Sequence, residues 1–107
     1  MPVQQLSPAE VQTKLRSESA PLLLDVREPW ETEICSIAGS RNLPMMQVPS
    51  GLAALERDRE LVIVCHHGVR SLQVAMFLDQ SGFEKVINLS GGIAAWARDV
   101  EPEMATY

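Results

Sequence analysis

Apolar positions along the chain fall into two rhythms. Leu22-Leu23-Leu24-Asp25-Val26, Leu61-Val62-Ile63-Val64-Cys65 and Val86-Ile87-Asn88-Leu89 are short, nearly unbroken apolar runs. Runs of that length, the second rich in β-branched residues, predict strands buried on both faces. Between them the spacing changes. Val74, Ala75, Phe77 and Leu78 follow Ser71 at the period of a helix packed on a sheet. Ser7-Pro8-Ala9-Glu10 predicts a helix start, with Ser7 as cap, Pro8 in the first turn and Glu10 closing a capping box. Val11 and Leu15 then mark its buried face. Glu28-Pro29-Trp30-Glu31 opens a short helix ending near Cys35, and Ala38 to Pro44 reads as a turn with a short strand. Met45 to Arg57 reads as helical, broken or kinked by Pro49 and Gly51. Gly82 in a left-handed cap, with Phe83 packing back, stops the helix that runs to Gln80. A last helix spans Ile93 to Arg98, and a polar tail from Asp99 to Tyr107 is expected to fray or drape.

Strands alternating with helices predict an α/β fold: a mainly parallel central sheet of about five strands with helices on both faces. The length of 107 residues predicts one domain over residues 1–107. A hydrophobic content of 46% supplies a core that needs neither disulfide nor metal. The formal net charge of -5 argues against partnership with nucleic acid or an anionic membrane. No apolar run approaches membrane-spanning length. Met1-Pro2-Val3-Gln4-Gln5 has neither the basic start nor the apolar stretch of a leader, so a cytoplasmic location is expected. The two cysteines, Cys35 and Cys65, are then expected to be reduced, with a disulfide between them as the alternative. Cys65-His66-His67 is too tight for tetrahedral metal coordination by one loop, so no metal and no cofactor is expected.

The chemistry concentrates in Cys65-His66-His67-Gly68-Val69-Arg70-Ser71. A buried strand delivers a cysteine to its carboxyl end, just before a helix N-terminus. Open α/β sheets place their chemistry there, and backbone N–H groups and the helix dipole favour an anion. A loop this short is expected to curl its amides inward as a nest. Nest, dipole and Arg70 would together favour a thiolate, which is the nucleophilic form. A free cysteine titrates at about 8.5, and such surroundings lower it to ~3.5–7.5. A cysteine ending an apolar strand is commonly an inert core thiol. Gly68 and Arg70 followed by a helix start argue for reactivity, since a guanidinium so near a sulfur has no evident packing purpose.

The same segment resembles the active-site loop of the rhodanese-like sulfurtransferases. Leu24-Asp25-Val26-Arg27-Glu28 is similar to that family's first strand and turn. Ile37-Ala38-Gly39-Ser40-Arg41-Asn42-Leu43-Pro44 is similar to its second motif, and Leu89-Ser90-Gly91-Gly92-Ile93-Ala94-Ala95-Trp96 to its C-terminal one. Before Ile37 the family often carries Gly-His, where this chain has Cys35-Ser36. The resemblance implies a single-domain sulfurtransferase. Cys65 would take the outer sulfur of thiosulfate or a similar small anionic donor as a persulfide. A thiol, cyanide or protein acceptor would then remove it. Cys65 and Arg70 would be catalytic, with His66, His67, Gly68, Val69 and Ser71 forming the substrate-binding loop. Phosphatases related to this fold use a longer loop between cysteine and arginine, to cradle a wider phosphoryl group. A phosphatase or arsenate reductase, a thiol redox protein using Cys35, and a non-catalytic binding or regulatory module remain as alternatives.

Supporting residues carry two readings each. Asp25 and Arg27 either shape the pocket rim or fix the turn, with Arg27 pairing to Glu28, Glu31 or Glu33. Trp30 is expected at the pocket mouth and Trp96 in the core. A protonated His66 or His67 would add positive charge; otherwise only their backbone matters. Gly91-Gly92 suits a tight strand-to-helix turn, and Met45-Met46 suits core filling. Cys35 is either a half-buried small residue or a partner that resolves the persulfide.

Overall fold

The alternating apolar runs build one parallel sheet. The computed structural model describes residues 3–107; Met1 and Pro2, the start of the predicted domain, lie outside the described residues. Strands β1 (Gln4–Leu6), β2 (Leu22–Asp25), β3 (Arg41–Asn42), β4 (Leu61–Val64) and β5 (Val86–Leu89) lie in the order β1-β5-β4-β2-β3. Every pairing is parallel, with Leu22 opposite Leu61, Leu61 opposite Val86, and Gln4 opposite Ile87. Helices α1 (Pro8–Leu15), α2 (Pro29–Ile34), α3 (Val48–Gly51), α4 (Val69–Gln80) and α5 (Gly92–Asp99) connect or follow them.

Residue alternation sorts the core into two layers. Leu24, Leu61, Ile63, Cys65 and Val86 meet Val74, Ala75 and Leu78 of α4 and Val48 of α3 on one face. Leu23, Val62, Val64, Ile87 and Leu89 meet Val11 of α1 and Ile93 and Trp96 of α5 on the other. The sheet therefore carries helices on both faces, as the sequence pattern predicts. Connections diverge from the middle of the sheet. Through α4 the chain passes from β4 to β5 on one side, while through α2 it passes from β2 to edge strand β3 on the other. The carboxyl ends of β4 and β2 thus flank a topological switch point, where such sheets open a crevice.

Local signals hold at the helix ends. Ser7 Oγ accepts from Glu10 N–H, and Glu10 Oε1 accepts from Ser7 N–H. Gly82 has φ +95°, and Phe83, 2% exposed, donates its N–H to Leu78 O. Three features differ from the sequence reading. The helical stretch from Met45 is broken as expected, into a 3-10 turn Met45–Gln47, α3 and a 3-10 turn Leu52–Ala54, but it stops at Ala54 instead of reaching Arg57. Pro49 and Gly51 sit inside it, and a proline interior to a helix removes a hydrogen bond. Met46 is 85% exposed and fills no core, although Met45 packs partly against it. Strand β1 carried no apolar run at all. Only Leu6 of its three residues is buried, and an edge strand needs little more than its backbone to pair.

Candidate active site

Strand β4 is buried at every position and ends where Cys65 begins the loop. Gly68 turns that loop directly into α4 with φ +97°, a conformation that disfavours any side chain. The turn aims the Gly68 N–H at Cys65 Sγ, 3.0 Å away. Helix α5 holds the loop from the other side. Ile93 N–H donates to Cys65 O (2.8 Å) and Ala94 N–H to His66 O (3.0 Å). A Cβ on Gly92 would stand 2.4 Å from His66 O, so only glycine allows this approach. The Gly91-Gly92 pair makes the tight turn expected of it and also clamps the Cys65 loop.

Beneath the sulfur lies a neutral network. Cys65 Sγ is 3.2 Å from Ser71 Oγ, and the Ser71 hydroxyl donates to Asn88 Oδ1 at 2.5 Å. The Asn88 amide nitrogen in turn donates to Gly68 O (3.3 Å) and to Gln5 Oε1 (3.0 Å). Strands β1, β5 and β4 and helix α4 are tied together at the Cys65 sulfur. Cys65 itself is 1% exposed and Ser71 fully buried. Ser71 therefore sits under the sulfur, away from the rim of the loop.

On the opposite flank lies an ionic chain. Arg27, with no exposed surface, grips Asp25 through Nε and Nη2, the shortest contact being 2.6 Å. It also donates to Glu31 O and Cys35 O. The ionic partner of Arg27 is Asp25, not Glu28, Glu31 or Glu33. Glu31 instead takes Arg70 in a two-pronged pair, Nη1 to Oε1 at 2.8 Å and Nη2 to Oε2 at 2.9 Å. The Tyr107 hydroxyl stands between the two ion pairs. It accepts from Arg27 Nη1 at 3.0 Å and donates to Glu31 Oε2 at 2.7 Å.

The charges in this chain are fixed by these contacts. The Arg70 hydrogen bonds lower Glu31 to about 2, against the opposing effect of its burial. The Glu31 hydrogen bonds raise Arg70, with burial opposing. Burial alone would lower Arg27, but Asp25 and Tyr107 outweigh it and raise the guanidinium. Burial raises the Tyr107 phenol to about 12; Arg27 pulls it down and Glu31 pushes it up. The phenol therefore stays protonated and able to donate.

The order of motifs, the all-parallel sheet and the cysteine loop clamped by α5 agree with the family-model of the rhodanese-like domain, which matches residues 7–99. The chain belongs to the rhodanese-like domain family. The probable adenylyltransferase/sulfurtransferase MoeZ of Mycobacterium tuberculosis is 38% identical over 104 residues, which are 95% of this chain and 26% of MoeZ. The chain thus spans about a quarter of that relative. The thiosulfate sulfurtransferase GlpE of Pseudomonas aeruginosa is 36% identical over 99 residues, 92% of this chain and 87% of GlpE. The structure of the human single-domain sulfurtransferase TSTD1 superposes with a TM-score of 0.83 at 26% identity, over 91% of this chain and 97% of that one.

Other residues of this rhodanese-like domain fall into place around the loop. His66 lies between two rings, His67 and Tyr107, each stacked 3.9 Å from it. Burial, then the charge of His67, lowers His66, so its neutral ring is favoured. That removes the support for a protonated His66 as a source of positive charge. Val69 is 67% exposed and Trp30 59% exposed, with Trp30 edge-on to Tyr107 at 6.0 Å. Trp30 thus borders the ionic chain at Tyr107. Trp96 is in the core, as expected. Both cysteines are free thiols; Cys35 is half-buried with its sulfur 3.9 Å from Arg27 Nη1. Among the described residues no cluster of three or more His, Cys, Asp or Glu side chains is placed to hold a metal ion. Four contributors escaped the sequence reading: Glu31 as partner of Arg70, and Tyr107, Asn88 and Gln5. Asn88 did leave a signal. A lone amide inside the apolar run Val86–Leu89 must find buried partners.

Proposed function

We propose that this domain is a sulfurtransferase that carries a sulfane sulfur on Cys65. The observation that carries the reading is the Gly68 N–H directed at Cys65 Sγ from the first residue before α4. That amide and the helix N-terminus favour negative charge on the sulfur, before and after it is loaded. Ser71 supplies the adjustable element. Its hydroxyl now donates to Asn88, and a turn about its C–O bond redirects the hydrogen to a thiolate or persulfide. The Cys65 thiolate attacks the outer sulfur of thiosulfate. A new S–S bond forms, the old one breaks, and sulfite leaves with its electron pair. Cyanide or a thiolate then attacks the terminal sulfur, and Cys65 leaves as the thiolate. Small donors and thiol, cyanide or protein acceptors are the partners of this reading, which the names of GlpE, MoeZ and TSTD1 support.

No described helix is long and apolar enough to cross a membrane. A cytoplasmic setting belongs to the same reading.

Intact-mass measurement after incubation with thiosulfate, and separately with a small persulfide, tests the proposal. Gain of one sulfur on Cys65, removed by cyanide and absent in Cys65→Ser, is expected. Failure of every donor to load Cys65 would overturn it in favour of a binding module.

A further inference from the structure

Glu31 is charged yet only 3% exposed, and its carboxylate is saturated. Oε1 accepts from Glu28 N–H (2.9 Å) and Arg70 Nη1 (2.8 Å). Oε2 accepts from Arg70 Nη2 (2.9 Å) and the Tyr107 hydroxyl (2.7 Å). A carboxylate has about four lone-pair sites, and all are filled. Arg70 presents to Glu31 the planar fork that would otherwise take an oxyanion. Arg27 is equally occupied, by Asp25, by two backbone carbonyls and by Tyr107. Both guanidiniums beside the loop are thus neutralised by the protein's own acceptors, and His66 favours its neutral ring. Aimed at the sulfur itself are the Gly68 amide and the end of α4, roughly half a unit of positive charge, while Arg70 reaches Cys65 only through space with its fork turned to Glu31. The chain as a whole carries a formal charge of -5.

We propose that Glu31 is a specificity-determining residue for the sulfur donor. By occupying Arg70 it makes the site take hydropersulfides borne on a small thiol, with at most one net negative charge, in preference to doubly charged thiosulfate. The inference rests on the sulfurtransferase reading and refines its donor. The step balances without a cation. The Cys65 thiolate attacks the outer sulfur of R–S–SH, that S–S bond breaks, and R–S⁻ leaves. The proton stays on the transferred sulfur, giving Cys65–S–SH. Tyr107 acts as a positioning residue, since its hydroxyl holds the Glu31 carboxylate against swinging off Arg70.

The test compares kcat/KM for thiosulfate and for cysteine persulfide in the wild type, Glu31→Gln and Tyr107→Phe. The ratio is read within each protein, so a folding defect lowers both donors alike. The wild type is expected to favour the persulfide by about tenfold or more. Glu31→Gln is expected to shift the ratio toward thiosulfate by about tenfold, carried by a lower thiosulfate KM. Tyr107→Phe should shift it the same way by about two- to threefold, since one of the four donors to Glu31 is lost. Equal use of both donors by the wild type, or an unchanged ratio in Glu31→Gln, overturns the assignment. A Tyr107→Phe shift in the opposite direction removes Tyr107 from it. If neither donor loads Cys65 in the wild type, the sulfurtransferase reading has failed, and this inference falls with it.

Discussion

The two flanks of the Cys65 loop solve the problem of buried polarity in opposite ways. On the α4 side, Ser71, Asn88 and Gln5 form a neutral chain ending on the sulfur. On the α2 side, Asp25, Arg27, Tyr107, Glu31 and Arg70 alternate charge and phenol and do not contact the sulfur through any of these hydrogen bonds. A neutral chain adapts by rotating a hydroxyl, because either end of an O–H can be offered at little cost. An ionic chain does not adapt, since each buried charge is held only by its opposite. In the proposed sulfur transfer, the flank that meets changing charge on sulfur is therefore the adaptable one, and the rigid flank fixes the loop's frame. No buried side-chain nitrogen or oxygen among the described residues lacks a partner, so both solutions are complete.

Breaking the rigid flank should have the largest effect. Arg27→Met leaves Asp25, 1% exposed, charged and unpaired. The expected loss is about 3–5 kcal/mol of stability, measured by urea denaturation. A loss under roughly 1 kcal/mol would mean that the ionic chain is not the frame described here.

Ser71→Ala tests the adaptable flank and should separate activity from folding. It strands Asn88 Oδ1, at about 1–3 kcal/mol of stability, and removes the hydroxyl that can turn toward the sulfur. A fall in kcat of about tenfold at saturating donor is expected from losing one hydrogen bond to a charged sulfur. Unchanged kcat would confine Ser71 to a structural role.

The smallest effect sharpens the comparison through pH. Glu31 titrates at about 2 in the folded chain against 4.5 in its absence. A carboxyl lowered on folding contributes stability that is complete above its unfolded value and is lost as pH falls through the folded one. Wild-type stability should therefore decline between about pH 4.5 and 2 partly through Glu31, whose carboxylate faces Arg70 and Tyr107. Glu31→Gln should flatten that part of the acid limb in denaturation measured against pH. Parallel limbs in the two proteins would show that the pair with Arg70 contributes nothing in solution.

Legibility followed the range of the interaction. Strand β4 and the capping box at Ser7 were readable, because each depends on residues within a few positions, whereas α4 opens at Val69, two residues before its apolar pattern starts at Ser71. The stop at Gly82 was readable for the same reason. Arg70, expected to end the loop, stands in the first turn of α4, and its partner Glu31 lies 39 positions away. The sequence offered Glu31 to Arg27, a nearer cation, and Arg27 took Asp25 two positions off because the end of β2 points both inward together. Tyr107 sits 76 positions from Glu31 in a tail that composition marks only as polar. Met46 was misread because apolar character alone does not say which side of a short turn faces out.

The sequence by itself determined the local frame that holds Cys65. A buried run forces a strand, a glycine permits the left-handed turn, and a helix must begin where the cysteine ends. Tertiary structure alone decided the charge at the site. Parallel strands from distant parts of the chain bring β2, β4, β5 and the tail to one edge, and only there do Glu31, Tyr107 and Asn88 meet the loop. Coulomb and hydrogen-bond energies depend on separation in space, which periodicity along the chain does not encode.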